Sequence, residues 1–214
     1  MEVRSTDIAS GEKRLMIDLA GVRKTAADCL TRPIVLVLAR TSVTPNALTW
    51  FGFLLSGVAA ALIITEHLFA AGFLVLFAGL FDMLDGALAR HTKQITRFGG
   101  FLDSIIDRLA EAALLVGVII VYAAEQSFVG VLLAGIALPS SMLVSYIRAR
   151  AEAAGLECKV GLFTRAERVV VLALGLLLSQ IDYALIFAVG IIVVLSFVTI
   201  GQRFIHVYRQ MKND

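Results

Sequence analysis

The chain has 214 residues, 59% of them hydrophobic, and a mean hydropathy of +0.88. A soluble globular domain has an apolar content nearer roughly 45–50%, so water is not this chain's main solvent. The net charge of +2 offers no basic excess and no nucleic-acid partner is expected, while Cys29 and Cys158 lack metal-ligand spacing and are not expected to form a structural disulfide.

Residues 1–11 are polar, contain Ser5, Ser10 and Gly11, and lack the charge and apolar order of a signal peptide, so a flexible tail is expected. Between Glu12 and Leu30, apolar residues recur at Leu15, Leu19, Val22, Ala26 and Leu30, with Lys13, Arg23 and Lys24 between them. This spacing predicts an amphipathic helix, lying on the membrane surface or against the protein's own cytoplasmic loops. It belongs to a surface segment over 12–40, ahead of a membrane domain over 41–210.

Six apolar stretches follow, at about Asn46–Thr65, His67–Ala89, Phe98–Ala124, Phe128–Ala149, Thr164–Leu178 and Tyr183–His206. Most approach the roughly 20 residues that cross hydrocarbon as a helix. The expected fold is therefore an all-α integral membrane bundle of six transmembrane helices, preceded by the amphipathic juxtamembrane helix. The loops after the first, third and fifth stretches carry Glu66 and His67, Glu125 and Gln126, and Gln180 and Asp182, so all 19 Lys and Arg residues fall on the opposite side. The positive-inside rule makes that side cytoplasmic, together with both termini.

Four carboxylates stand where the second stretch ends and the third begins: Asp82, Asp85, Asp103 and Asp107. On helices, Asp82 and Asp85 share one face at i, i+3, and Asp103 and Asp107 share another at i, i+4. Acids this close, at the edge of hydrocarbon, repel one another unless a positive charge lies among them. Arg90, Arg97 and Arg108 offer simple salt bridges, but four acids at this spacing exceed that need. Oxygen-only ligation without His or Cys points to Mg²⁺ or Mn²⁺, and a pair of such ions suits displacement at phosphorus.

The string Asp82, Asp85, Gly86, Ala89, Arg90, Gly99, Asp103 and Asp107 resembles the signature of the CDP-alcohol phosphotransferase family, D-x2-D-G-x2-A-R-x8-G-x3-D-x3-D, at every spacing. The resemblance covers about residues 40–210. It implies that Asp82, Asp85, Asp103 and Asp107 bind metal, with two ions expected, and that Asp107 is also the base on the acceptor hydroxyl. It further implies a homodimer in the cell membrane and a CDP-linked lipid donor, CDP-diacylglycerol or CDP-archaeol. Donor contacts are expected at Thr44, Pro45, Asn46, Ala47, Gly86, Ala89, Arg90, Thr96 and Gly99.

The stretch from Ser145 to Leu156 and the run Arg165-Ala166-Glu167-Arg168 resemble the phosphatidylinositol-phosphate synthase branch of the family, which includes archaetidylinositol-phosphate synthases. That branch commonly has Lys at the position of Arg148, and Arg-Pro-Glu-Arg where this chain has Arg165-Ala166-Glu167-Arg168. The resemblance implies an acceptor-phosphate pocket of Arg148, Arg168 and Arg203, with inositol 1-phosphate the favoured acceptor and glycerol 3-phosphate the alternative. Arginine suits this task, because its planar fork binds phosphate with two hydrogen bonds. A cation-coupled transporter is the competing class, but transporter acids lie near the bilayer midplane.

Overall fold

The computed structural model describes residues 31–213, so the expected tail over 1–11 and most of the surface segment over 12–40, including the amphipathic stretch, lie outside the described residues. Among the described residues every regular element is a helix. The first, α1, includes residues 31–38. It is followed by α2 (Pro45–Ile64), α3 (Leu68–His91), α4 (Arg97–Ala124), α5 (Phe128–Ala153), α6 (Arg165–Leu177) and α7 (Ala184–Asn213).

Local chemistry sets the helix starts. Thr44 caps α2 by accepting from the Ala47 amide, and Pro45 occupies a first-turn position where its missing N–H is no loss. Thr96 caps α4 by accepting from the Gly99 amide at 2.9 Å. Glu167 reaches back to the Thr164 amide at 2.7 Å and closes the start of α6. The connections α2–α3 and α4–α5 turn sharply, with Glu66 and Gln126 in the left-handed region at φ 63° and 56°.

By length and composition, α2, α3, α5 and α7 are long and apolar enough to cross a membrane. The chain is thus an all-α, multi-pass membrane protein. Two of the six expected spans fall outside this measure. Helix α4 carries Asp103, Asp107, Arg108 and Glu111 in its first half, and α6 has only 13 residues. At that length α6 reaches about 20 Å, against a hydrocarbon layer of roughly 30 Å.

The main helix contacts close into a ring in the order α2, α3, α6, α7, α5, α4 and back to α2. Inside it, Ile63, Val75, Leu115, Val118, Leu172, Leu176 and Val189 form the apolar core. Gly72 lets α3 and α6 approach closely, since a Cβ there would stand 2.9 Å from the Leu177 amide nitrogen. A second, smaller core joins Val35 of α1 to Leu48, Leu84 and Leu88. Together these contacts hold the end of α3 and the starts of α2, α4 and α6 around one region, where the charged residues meet.

Candidate active site

Asp82 on α3 and Asp103 and Asp107 on α4 each direct a carboxylate oxygen into one cluster, with these oxygens within 4.8 Å of one another. Asp85 stands apart from that trio. Its Oδ2 accepts from Thr49 Oγ1 of α2 at 2.5 Å and its Oδ1 from the Gly86 amide at 2.5 Å.

Arg165, the first residue of α6, enters the cluster from the opposite side. Its Nη1 donates to both oxygens of Asp82 at 2.9 Å and lies 2.6 Å from Asp107 Oδ1. The latter approach lacks hydrogen-bond geometry, leaving that buried oxygen without a donor. An unsatisfied carboxylate oxygen within an all-oxygen donor set fits a hard divalent cation better than zinc or copper. Bound there, such an ion would neutralise phosphate charge and stabilise the attacking and leaving oxygens.

Two cavities flank the aspartates. One, of about 290 Å³, is lined by residues of α2, of the α3 end and of the α4 start, with Asp85 and Asp103 in its wall. Of the residues expected to contact the donor, Pro45, Asn46, Gly86, Ala89, Arg90, Thr96 and Gly99 line it, joined by Thr49, Gln94, Ile95 and Gly100. Thr44 and Ala47 are not in that lining; they pair with each other in the α2 cap.

The other cavity, of about 350 Å³, is strongly basic. Arg108, Arg148, Arg165 and Arg203 line it together with Ser104, Ser145, Glu152 and Asp107. Arg203 is held rigidly. It is 4% exposed, and its Nε donates to Val160 O at 3.0 Å and its Nη1 to Val144 O. Arg148 is half-exposed and paired with Glu152 at 2.8 Å. The segment 154–164, which packs beside Arg203, is fastened to α7: Leu162 N–H donates to Gln202, Phe163 N–H to Thr199, and Gln210 to Glu157 O. Gly161 adopts φ 129° there, and a Cβ would stand 3.1 Å from Arg203 Nε.

Arg168 is not in the wall of this cavity. It lies one turn deeper, 1% exposed, with Nε and Nη2 donating to the two oxygens of Glu111 at 2.6 and 2.8 Å. Arg165, not singled out from sequence, takes the place beside the aspartates. The two arginines are three residues apart on one helical face, so spacing alone does not say which reaches the cavity. Arg108 and Thr49 were likewise outside the expected contacts. Arg108 directly follows a signature aspartate, and Thr49 lies one turn beyond Pro45, but neither belongs to the signature.

A carboxylate metal site set between a small-residue cavity and an arginine cavity, in a membrane-crossing helical ring, defines a membrane-bound phosphotransferase. Residues 42–207 match the family model described as CDP-alcohol phosphatidyltransferase, and the chain belongs to that family. It is 38% identical over 175 residues to the archaetidylinositol phosphate synthase of Methanothermobacter thermautotrophicus, covering 81% of this chain and 87% of that relative. It is also 38% identical to the phosphatidylinositol phosphate synthase of Mycobacteroides abscessus, covering 81% of each chain. Among solved structures, the Mycobacterium tuberculosis phosphatidylinositol phosphate synthase with CDP-DAG bound aligns at a TM-score of 0.76 and 35% identity, over 83% of this chain and 93% of that one. The same enzyme in complex with manganese and citrate aligns equally well, over 88% of its chain. The chain is therefore a metal-dependent transferase of phospholipid synthesis that uses Mg²⁺ or Mn²⁺.

Proposed function

We propose that this protein transfers the phosphatidyl-type group of a CDP-linked lipid to a hydroxyl of inositol 1-phosphate and releases CMP. The observation that carries this reading is the position of Asp107. It belongs to the aspartate cluster and also to the wall of the arginine cavity, whereas Asp85 and Asp103 face the cavity on the other side. A base for an incoming hydroxyl must lie within hydrogen-bond reach of it.

In this reading the CDP diphosphate lies along Gly86, Ala89 and Gly99, where small residues admit close approach, with Arg90, Asn46 and Thr96 beside the nucleotide. Thr44 and Ala47 shape the entry by fixing the start of α2. Arg148, Arg203 and Arg165 hold the acceptor's phosphate, and Arg168 supports the site from behind. Asp107 takes the proton of the acceptor hydroxyl. That oxygen forms the new bond to the phosphorus carrying the lipid alcohol, the bond from that phosphorus to CMP breaks, and CMP leaves through the nucleotide cavity. Asp82, Asp85, Asp103 and Asp107 would hold the ions, whose positive charge lowers the repulsion between an anionic acceptor and an anionic diphosphate.

The reading extends to topology. All six helices α2 to α7 take part in crossing the bilayer, α4 with its polar first half at the cytoplasmic rim and the 13-residue α6 completing its crossing with the turn that follows it. The site and both termini face the cytoplasm, an amphipathic helix precedes a catalytic unit over 41–210, and two copies form the homodimer common to the family. The basic residues on one side support this orientation. Purified protein given CDP-diacylglycerol or CDP-archaeol, Mn²⁺ or Mg²⁺ and, in parallel, inositol 1-phosphate, glycerol 3-phosphate, inositol and serine is expected to release CMP chiefly with inositol 1-phosphate. Faster release with glycerol 3-phosphate would replace the acceptor; release with none would overturn the reading.

A further inference from the structure

The ion pair between Glu111 and Arg168 is enclosed in the apolar interior, with the two residues 5% and 1% exposed and Leu114, Leu115, Leu172 and Ile192 around them. Burying two charges contributes little net stability, because desolvation offsets their attraction. What a two-pronged guanidinium–carboxylate contact does supply is geometry, since both the distance and the rotation of the partners are fixed.

That geometry matters because α4 and α6 are not neighbours in the ring. They face each other across it, and long side chains bridge them. Glu111 lies four residues after Asp107 on α4, and Arg168 lies three residues after Arg165 on α6, so the two ion pairs are stacked one turn apart. Helix α6 has 13 residues and begins at the site itself. Rotating it by one residue would turn Arg165 about 100° away from the aspartates.

We propose that Glu111 is a positioning residue for the transfer reaction: by clamping Arg168 it fixes the rotation of α6 that delivers Arg165 to Asp82, Asp107 and the arginine cavity. The proposal rests on the reading of that cavity as the acceptor site. The nucleotide cavity is built from α2, α3 and the start of α4 and is independent of α6.

The test measures CMP release by the full-length protein, with the KM for inositol 1-phosphate and for CDP-diacylglycerol determined separately. Glu111→Gln keeps the size and removes the charge; the acceptor KM is expected to rise on the order of tenfold while the donor KM stays at the wild-type value. Because an unpaired buried Arg168 endangers folding, a second variant combines Glu111→Leu with Arg168→Met and leaves no buried charge. It is expected to fold and to show the same separation of the two KM values. A wild-type acceptor KM in the double variant, an equal effect on both substrates, or a double variant that does not fold would each overturn the proposal. Wild-type protein that is inactive with inositol 1-phosphate would instead remove the acceptor reading beneath it.

Discussion

Arg165 Nη1 lies 2.9 Å from both carboxylate oxygens of Asp82, so a cation of the protein's own already stands at the mouth of the metal cluster. The same nitrogen approaches Asp107 and the side chain lines the arginine cavity. One guanidinium thus faces both the metal ligands and the space assigned to the acceptor phosphate.

This position leads to opposite effects on metal and acceptor. Removing a positive charge a few ångströms from a divalent-ion site lowers repulsion and frees Asp82, so Arg165→Ala should bind Mn²⁺ on the order of tenfold more tightly. The same change should raise the acceptor KM. Mn²⁺ titration followed by electron paramagnetic resonance reads the first effect and CMP release the second. Weaker Mn²⁺ binding in the variant would contradict the competing position of Arg165.

Asp107 belongs both to the aspartate cluster and to the wall of the arginine cavity, the position proposed for the base. Asp107→Asn keeps the shape but removes the proton acceptor, so turnover should fall on the order of 10³-fold. CDP-diacylglycerol binding, read by equilibrium titration, should persist, because Asp107 is outside the wall of the cavity proposed for the nucleotide. Loss of donor binding together with turnover would reassign Asp107 to donor recognition.

The cluster of Asp82, Asp103 and Asp107 could be read from sequence because of their spacing against the helical repeat on two antiparallel helices, while the turn of Asp85 toward Thr49 could not. The ring order of the helices was not legible, since α3 packs on α6 through Gly72, whose partner Leu177 lies about a hundred residues away, and no local pattern announces that pairing. For the same reason the sequence pointed to Arg168 for the arginine pocket, where the structure lines the cavity with Arg165. Both share a face of α6, and only the presence of Glu111 across the ring, one turn below Asp107, shows which guanidinium is drawn into the apolar core and which meets the aspartates. The signature residues Gly86, Ala89 and Gly99 and the arginines Arg148 and Arg203 lie in separate segments of the sequence, and they line two different cavities.

Thr49 tests the proposed place of Asp85 among the metal ligands. Its hydroxyl donates to Asp85 Oδ2 at 2.5 Å, and Asp85 is 5% exposed. Hydrogen bonds to charged groups contribute about 1.5–3 kcal/mol. Thr49→Val should therefore raise the Mn²⁺ concentration needed for half-maximal activity by about tenfold or more, while Thr49→Ser should keep the wild-type value. Identical metal requirements in Thr49→Val and wild type would show that Asp85 is oriented without Thr49.

Arg203 lines the arginine cavity proposed for the acceptor and is tied through Val160 O to the loop 154–164, so its removal should act on both. Arg203→Ala takes away a guanidinium fixed to Val144 O and Val160 O, and the acceptor KM should rise about tenfold with little change for CDP-lipid. The loop offers its own reporter. Cys158 is 1% exposed, and burial pushes its thiol pKa up, with the nearby Arg203 only partly countering this. At neutral pH it is therefore both enclosed and protonated, and in a Cys29→Ser background it should react slowly with a maleimide, faster only as pH rises above the ordinary thiol range. Losing Arg203 removes the smaller, lowering influence, but release of the loop removes the larger one, burial. Reaction at neutral pH should therefore accelerate. An unchanged labelling rate alongside a raised acceptor KM would confine the role of Arg203 to the acceptor and leave the loop held by Thr199, Gln202 and Gln210.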